Sequence, residues 1–166
     1  MLSESDIRQQ LLELLVVEDD AKRVQSGCYV KNQEYLSAVA KPLVVPLKHM
    51  DYQINIAGSV AQITLEQQYA NPVDALLELE YMFPIEPNVC VTSFKAIFDD
   101  HEEVGTVKEK QEARQEYEKG LKEGKQVAYG EVSERSRDIM VLKIGNVVPK
   151  GQVRIVIEFL QELEVS

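Results

Sequence analysis

The sequence predicts a mainly β protein, an antiparallel β-sandwich of about seven or eight strands with one inserted surface helix and an N-terminal amphipathic helix. Apolar and polar residues alternate with a period of two through most of the chain after residue 43. Glycines and prolines interrupt this alternation at the spacing typical of sandwich strands. Two stretches, at about 4–18 and about 107–123, carry apolar residues at helical spacing instead.

The N-terminal helix is predicted over about residues 4–18. Ser3 or Ser5 can cap it, and Asp6 lies in the first turn, where acidic residues are favoured. Its apolar stripe consists of Ile7, Leu11, Leu12, Leu14 and Leu15. A polar and then poorly patterned stretch follows, so residues 1–42 are interpreted as a helical arm and linker. The sequence leaves open whether this arm packs on the domain or docks a partner.

The strands are predicted from the alternation itself. Tyr52, Ile54 and Ile56 alternate with polar residues, and a Gly58-Ser59 turn leads into a second alternating run that ends before Asn71-Pro72. Two alternating runs joined by such a turn are typical of a β-hairpin. A short extended piece is predicted at 43–45, and further strands are predicted at 77–81, 89–98, 126–132, 139–144 and 153–159.

One helix is predicted to interrupt the strands at about 107–123. Thr106 and Glu109 match a Thr-x-x-Glu capping box at its start, and Gly124 is placed to be the left-handed residue that ends it. Its narrow apolar face consists of Ala113, Tyr117 and Leu121. A helix that is polar around most of its circumference belongs on the surface, with a thin stripe of contact to the domain.

The charge balance excludes some classes of partner. The formal net charge is -10 at pH 7. Nucleic-acid backbones and anionic membrane surfaces both require clustered Lys and Arg, so we expect protein partners, with no nucleic acid and no membrane. No run approaches the ~20 apolar residues of a membrane-spanning helix. Met1 to Arg8 lacks the basic and apolar pattern of a secretory signal, so a cytoplasmic location is expected.

The sequence predicts no catalytic, cofactor-binding or metal-binding residues. His49 and His101 have no Ser or Cys in a recognisable nucleophile motif, and no phosphate loop or Cys-x-x-Cys pair occurs. Cys28 and Cys90 are interpreted as free thiols, although their pairing stays open. The best candidate for a cation site is the acidic tip, Asp99-Asp100-His101-Glu102-Glu103. It lacks the ligand order of an EF-hand loop, so we interpret it as a solvated loop.

Four ordered segments carry a more specific pattern. Residues 108–128 follow Glu-(Lys/Arg)-x-x-Ala-x-x-x-Tyr and close on Gly-Lys. The other segments are Gln68–Pro72 at a strand end, Tyr81–Ile85 around Phe83-Pro84, and Ile144–Gly151 with its Gly-Asn-Val-Val-Pro turn. Together they resemble the VIT domain of vault-protein and inter-alpha-trypsin-inhibitor type, over about residues 43–165. We therefore assign residues 43–166 to a VIT domain.

The resemblance implies a non-catalytic protein–protein interaction or scaffolding module of a larger polypeptide, beside a von Willebrand A domain. Two alternatives stay open: a localisation segment of a vault-associated poly(ADP-ribose) polymerase, and an extracellular heavy-chain module. The sequence departs from the family at Asp99–Glu103, where a Gly-rich tip is usual, and at Tyr129–Val132. The candidate docking surfaces are the apolar side of the 5–18 helix and the exposed sheet edges.

Overall fold

The computed structural model describes residues 3, 5–7, 9–10, 16–17, 27–32, 43–104, 110–132 and 139–164. The strands within them are β1 (Val16–Val17), β2 (Gly27–Val30), β3 (Leu43–Val45), β4 (Leu47–Ala57), β5 (Val60–Ala70), β6 (Leu77–Pro84), β7 (Val89–Ile97), β8 (Glu102–Val104), β9 (Val127–Val132), β10 (Ile139–Val147) and β11 (Gln152–Glu162). A surface helix, Lys110–Lys122, lies between β8 and β9. A six-stranded sheet has the order β1-β3-β2-β6-β10-β9, and a five-stranded sheet the order β4-β5-β11-β7-β8. All strand pairs are antiparallel.

The predicted mainly β fold is confirmed, and its core lies between the two sheets. β11 is the central strand of the five-stranded sheet, where Ile157 pairs with Leu65 and Phe159 with Ile63. These four side chains are all buried, because alternate residues of each strand point inward. Phe83 of β6 packs against Phe159 with ring centroids 5.7 Å apart, which joins the two sheets.

Strand β2 is a sheet element within the segment that we interpreted as a linker. It lies between β3 and β6, and Cys28, Tyr29 and Val30 are all buried. A strand that is buried on both faces shows no alternation, so a period-two search misses it. The sandwich therefore uses residues before 43, while the proposed division of the chain at that residue stays a prediction.

The N-terminal helix packs on the domain at the residues that the structure describes. Residues 5–7 and 9–10 are helical, and the Ser3 hydroxyl donates to Asp6 Oδ2 at 2.7 Å. Ile7 joins the core, and Gln10 Nε2 donates to Asp74 Oδ2 at 2.9 Å. The predicted end of the helix at residue 18 is wrong, because Val16–Val17 pairs with β3 as a strand.

Asn71 holds the end of β5 against the turn that follows β10. Its Nδ2 group donates to the carbonyls of Ala75 at 2.7 Å, Val147 at 3.0 Å and Val148 at 3.1 Å. Its Oδ1 accepts the backbone N–H of Val73 at 3.0 Å. Asn71 is almost fully buried, so these bonds satisfy a polar group that water cannot reach. The Asn-Pro element of the sequence pattern is thus a structural tie.

The surface helix ends in a Schellman motif, as its predicted C-terminal glycine indicates. Gly124 has φ 76°, and its N–H donates to the Leu121 carbonyl at 3.2 Å. The Lys125 N–H donates to the Gly120 carbonyl at 3.0 Å. The predicted Thr106–Glu109 capping box lies outside the described residues. No helix in the described part of the chain is long and apolar enough to cross a membrane.

Gly145 and Asn146, expected from the sequence to form a turn, lie within β10 at a bulge between Ile144 and Val147, and this bulge clamps the helix end to the sheet. Asn146 Nδ2 donates to the carbonyls of Leu121 at 3.0 Å and Lys125 at 2.9 Å. Asn146 itself has φ 56°, a left-handed conformation that Asn tolerates better than most residues. A β-carbon on Gly145 would overlap the Leu121 side chain, so glycine permits the close approach of helix and strand.

We predict that Asn146→Ala lowers the free energy of unfolding by about 2–3 kcal/mol, because it removes two hydrogen bonds and strains a left-handed position. Asn146→Gly is the matched control: it keeps the positive φ and should cost about 1–2 kcal/mol. Urea denaturation of the three proteins measures both effects. An Asn146→Gly variant as stable as the parent would show that the clamp contributes nothing.

Candidate interaction surface

The acidic tip lies at the β7–β8 turn, at one edge of the five-stranded sheet. His101 stacks on Phe98 with ring centroids 4.8 Å apart. Its Nδ1 lies 2.6 Å from Asp100 Oδ1, and its Nε2 lies 2.9 Å from the Gln126 carbonyl oxygen and 3.6 Å from Glu103 Oε1. The tip is therefore tied to the residue that precedes β9.

Both ring nitrogens of His101 face oxygen acceptors, so the protonated imidazolium fits this site best. A neutral imidazole has one N–H and can satisfy only one of the two acceptors. Desolvation lowers the pKa of His101, but the hydrogen bonds to Asp100 and Gln126 and the charges of Asp100 and Glu103 outweigh it and raise the pKa. The hydrogen bond from His101 in turn lowers the pKa of Asp100.

The arrangement of the tip does not resemble a metal centre. Among the described residues, no group of three or more His, Cys, Asp or Glu side chains is placed to hold a metal ion. Asp99 Oδ2 accepts the backbone N–H of Gln152 at 3.3 Å instead. The tip oxygens of Asp99 and Asp100 are thus engaged by donors of the protein itself.

The remaining chemically distinctive residues lie apart from the tip and from one another. His49 is exposed on β4, at the opposite edge of the sheet from His101. Cys28 and Cys90 are both free thiols, one buried and one exposed. Burial raises the pKa of the Cys28 thiol and keeps it protonated, so it is a poor nucleophile.

Strand β4 carries a row of exposed apolar side chains, Met50, Tyr52, Ile54 and Ile56, which we call the β4 row. All eleven residues of β4 are exposed, and Ile54 and Ile56 are 56% and 66% exposed. Among the described strands, β4 pairs with β5 alone, so its outer backbone edge faces no strand. An exposed, long and apolar edge strand is unusual in a protein that functions alone.

The β4 row continues the buried face of the sheet. Met50 lies opposite the half-buried Gln67 of β5, and the other three residues of the row lie opposite apolar β5 residues: Tyr52 opposite Leu65, Ile54 opposite Ile63 and Ile56 opposite Ala61. Paired residues of antiparallel strands project to the same side, and all three apolar β5 partners are buried. As far as the structure describes the facing sheet, it therefore covers β5 but does not extend over β4.

A cleft of about 380 Å³ opens between the sheets next to the β4 row. Its walls include Val44, Pro46, Leu47, Tyr52, Phe83 and Pro84. Tyr52 belongs to both the cleft and the β4 row, so the two form one continuous apolar surface. This surface can accept a partner side chain in the cleft and partner backbone groups along β4.

Of the docking surfaces expected from the sequence, the β4 edge is exposed in the part of the chain that the structure describes. The sequence predicts the hairpin and the alternation of Tyr52, Ile54 and Ile56, but alternation alone does not tell which face is covered. The other candidate, the apolar side of the 5–18 helix, turns Ile7 into the core. Leu11, Leu14 and Leu15 lie outside the described residues.

We predict that the acidic tip makes stability depend on pH. Because the pKa of His101 is raised in the folded state, its protonation stabilises the fold. This contribution to the free energy of unfolding is complete below the unfolded pKa of about 6.5 and is lost as pH rises through the folded-state pKa. The Asp100 contribution is lost at acid pH, as pH falls through its lowered pKa. Urea denaturation between about pH 6 and pH 8 should show a stability loss that His101→Asn abolishes. An unchanged slope in His101→Asn would contradict the assignment.

We predict a large loss of stability at one and a small change at the other of two isoleucines that pair across β4 and β5. Ile63→Thr should lower the free energy of unfolding by about 2 kcal/mol or more, because it removes buried apolar volume and buries a hydroxyl. Ile54→Thr, on the neighbouring strand, should change it by about 0.5 kcal/mol or less. Both keep a β-branched side chain, and urea denaturation compares them. Equal losses would mean that the β4 row supports folding and is not a free surface.

Comparison with known proteins places the fold in a family. The profile of the Vault protein inter-alpha-trypsin domain (VIT) matches residues 47–159. The chain is 34% identical over 122 residues to protein mono-ADP-ribosyltransferase PARP4 of Homo sapiens, and the aligned region covers 74% of this chain and 7% of that protein. It is 32% identical over 119 residues to von Willebrand factor A domain-containing protein 5A of Homo sapiens and of Mus musculus. That aligned region covers 72% of this chain and 15% of each relative.

The chain thus spans less than a sixth of the length of these relatives. The matched region includes Asn71, the Gly124 helix end and the Gly145-Asn146 clamp. The hydrogen bonds at these three places give a structural role to three of the four sequence motifs. This chain belongs to the VIT domain family.

Proposed function

We propose that this VIT domain is a non-catalytic protein–protein interaction module of a larger cytoplasmic protein, beside a von Willebrand A domain, and that β4 is its docking surface. The observation that carries the proposal is the exposed β4 row on a strand that, of all the strands the structure describes, pairs with β5 alone. Apolar side chains in this position supply binding energy only when a partner covers them.

The backbone of β4 suits the addition of a partner strand. Edge strands are ordinarily protected by proline, bulges or charged side chains. β4 has Pro46 before it and a bulge between Leu47 and His49, both at its start. Over residues 50–57 the one charged residue is Asp51. This part of the edge can therefore form a new ladder of main-chain hydrogen bonds, with side chains selecting the partner.

The relatives support a role without catalysis in these residues. One class of relative is named as a mono-ADP-ribosyltransferase and the other by its von Willebrand A domain, at 34% and 32% identity. A domain that both classes share cannot account for an activity named in one of them. The net charge of -10 further favours a protein partner over nucleic acid or an anionic membrane.

The 34% identity to a transferase favours a second candidate, in which this domain localises an enzyme of that class to a large assembly. Catalysis would then lie in another part of the polypeptide. The full-length coding sequence separates the two: a transferase domain supports localisation of an enzyme, and a von Willebrand A domain without one supports the scaffold.

We predict that Ile54→Lys combined with Ile56→Lys in the full-length protein weakens partner binding roughly tenfold or more, because two ammonium groups would be buried in an apolar interface. The matched control is Gln62→Lys combined with Thr64→Lys, which adds the same charge to the opposite face of β5. Hydrogen–deuterium exchange at residues 50–57 should be slow in the full-length complex and in its control variant, and fast in the β4 variant. Exchange at these residues that is as fast in the full-length complex as in the β4 variant would overturn the proposal.

A further inference from the structure

We propose that β4 pairs antiparallel with β4 of a second copy of this chain, joining the two five-stranded sheets into one continuous sheet. This inference rests on the proposed function, because it takes β4 as the docking surface and names its occupant. Its basis is that residues 50–57 are complementary to themselves about a twofold axis.

The self-complementarity appears when the axis passes through Gln53. In that register Tyr52 lies opposite Ile54 of the second copy, and Met50 lies opposite Ile56 of the second copy. The four residues of the β4 row thus pair with one another, as apolar cross-strand neighbours prefer. On the other face, Asp51 lies opposite Asn55 of the second copy, and Gln53 lies opposite its own copy, so each polar side chain meets a polar one.

Neighbouring registers fit less well. An axis through Ile54 places Met50 opposite Gly58, and an axis through Tyr52 places Ile56 opposite Lys48. An axis between two residues puts the two apolar rows on opposite faces of the joined sheet, because side chains alternate along each strand. The register through Gln53 is therefore the one that keeps every apolar residue beside another.

The charges around β4 also permit a second copy. In this register Asp51 meets a neutral amide, and no two like charges lie opposite each other along residues 48–58. The net charge of -10 per chain repels at long range, and salt screens this repulsion. Salt should therefore strengthen the pairing of two copies, whereas it would weaken the binding of a cationic partner strand.

The contact also reaches the cleft between the sheets. Tyr52 lines that cleft, and the register brings Ile54 of the second copy next to Tyr52 at the cleft mouth. A single strand pair forms a small interface, and interfaces of that size give weak, reversible association. The dimer should accordingly depend on protein concentration.

Cysteine cross-linking tests the register directly. In a Cys90→Ser background, Gln53→Cys places two thiols opposite each other, with Cα atoms about 4.5–5.5 Å apart, within disulfide range. Asn55→Cys is the matched control: it lies on the same polar face, but its two copies would be about 14 Å apart. We expect mild oxidation to give covalent dimers with Gln53→Cys and at least tenfold less with Asn55→Cys. Equal or reversed yields would overturn this register.

Sedimentation velocity of the unoxidised chain tests association itself. We expect the dimer fraction to rise with concentration and with salt, to fall at least tenfold in Ile54→Lys, and to persist in Thr64→Lys on the opposite face of β5. A chain that stays monomeric, or a dimer that Ile54→Lys leaves intact, would overturn the inference.

If the chain stays monomeric but Ile54→Lys with Ile56→Lys still abolishes partner binding in the full-length protein, the proposed function stands with a different occupant. If neither effect is seen, both proposals fail.

Discussion

The pairing of β11 with β5 and β7 is the constraint on which the rest of the structure depends. All eleven residues of β11 pair with β5 without a register shift. Because side chains alternate along a strand, a slip of one residue would turn Val153, Ile155 and Ile157 from the core to solvent. The loss of that burial would cost far more than any surface contact returns, so the register of the central strands also sets the position of both sheet edges.

The two edges of the five-stranded sheet, β8 and β4, differ in length, charge and exposure. β8 is three residues long, and Glu102 at its start forms an ion pair with Lys95 at 3.9 Å. The adjoining tip is charged and tied down through His101. Short length and charge both discourage strand addition. β4 is eleven residues long and apolar on one face, and the facing sheet leaves it uncovered. Within the described residues, the five-stranded sheet thus closes its β8 edge and leaves its β4 edge available, which is why we propose β4 as the docking surface.

Local chemistry explains which elements the sequence predicts well. The β4–β5 hairpin, the surface helix and its terminal Gly124 depend on neighbouring residues, and each has a local signal in alternation, periodicity or turn chemistry. β2 has no such signal, since its residues are buried on both faces and gain their strand conformation from β3 and β6. Val16–Val17 likewise has the local pattern of a helix end, and it forms a strand because it pairs with β3.

The sequence by itself determined the fold class, the hairpin that carries the β4 row, the helix end at Gly124 and the family, because all of these follow from contacts within a few residues or from ordered motifs. The tertiary structure decided which of the described strands are edges, which apolar side chains are exposed, and that Asn146 binds the helix end and His101 the segment before β9. These features join residues about 20 or more positions apart, and their energies depend on distances that period and composition do not encode. The exposure of the β4 row is a feature of this kind. The alternation of its apolar residues is visible in the local sequence, but their exposure depends on where the facing sheet ends.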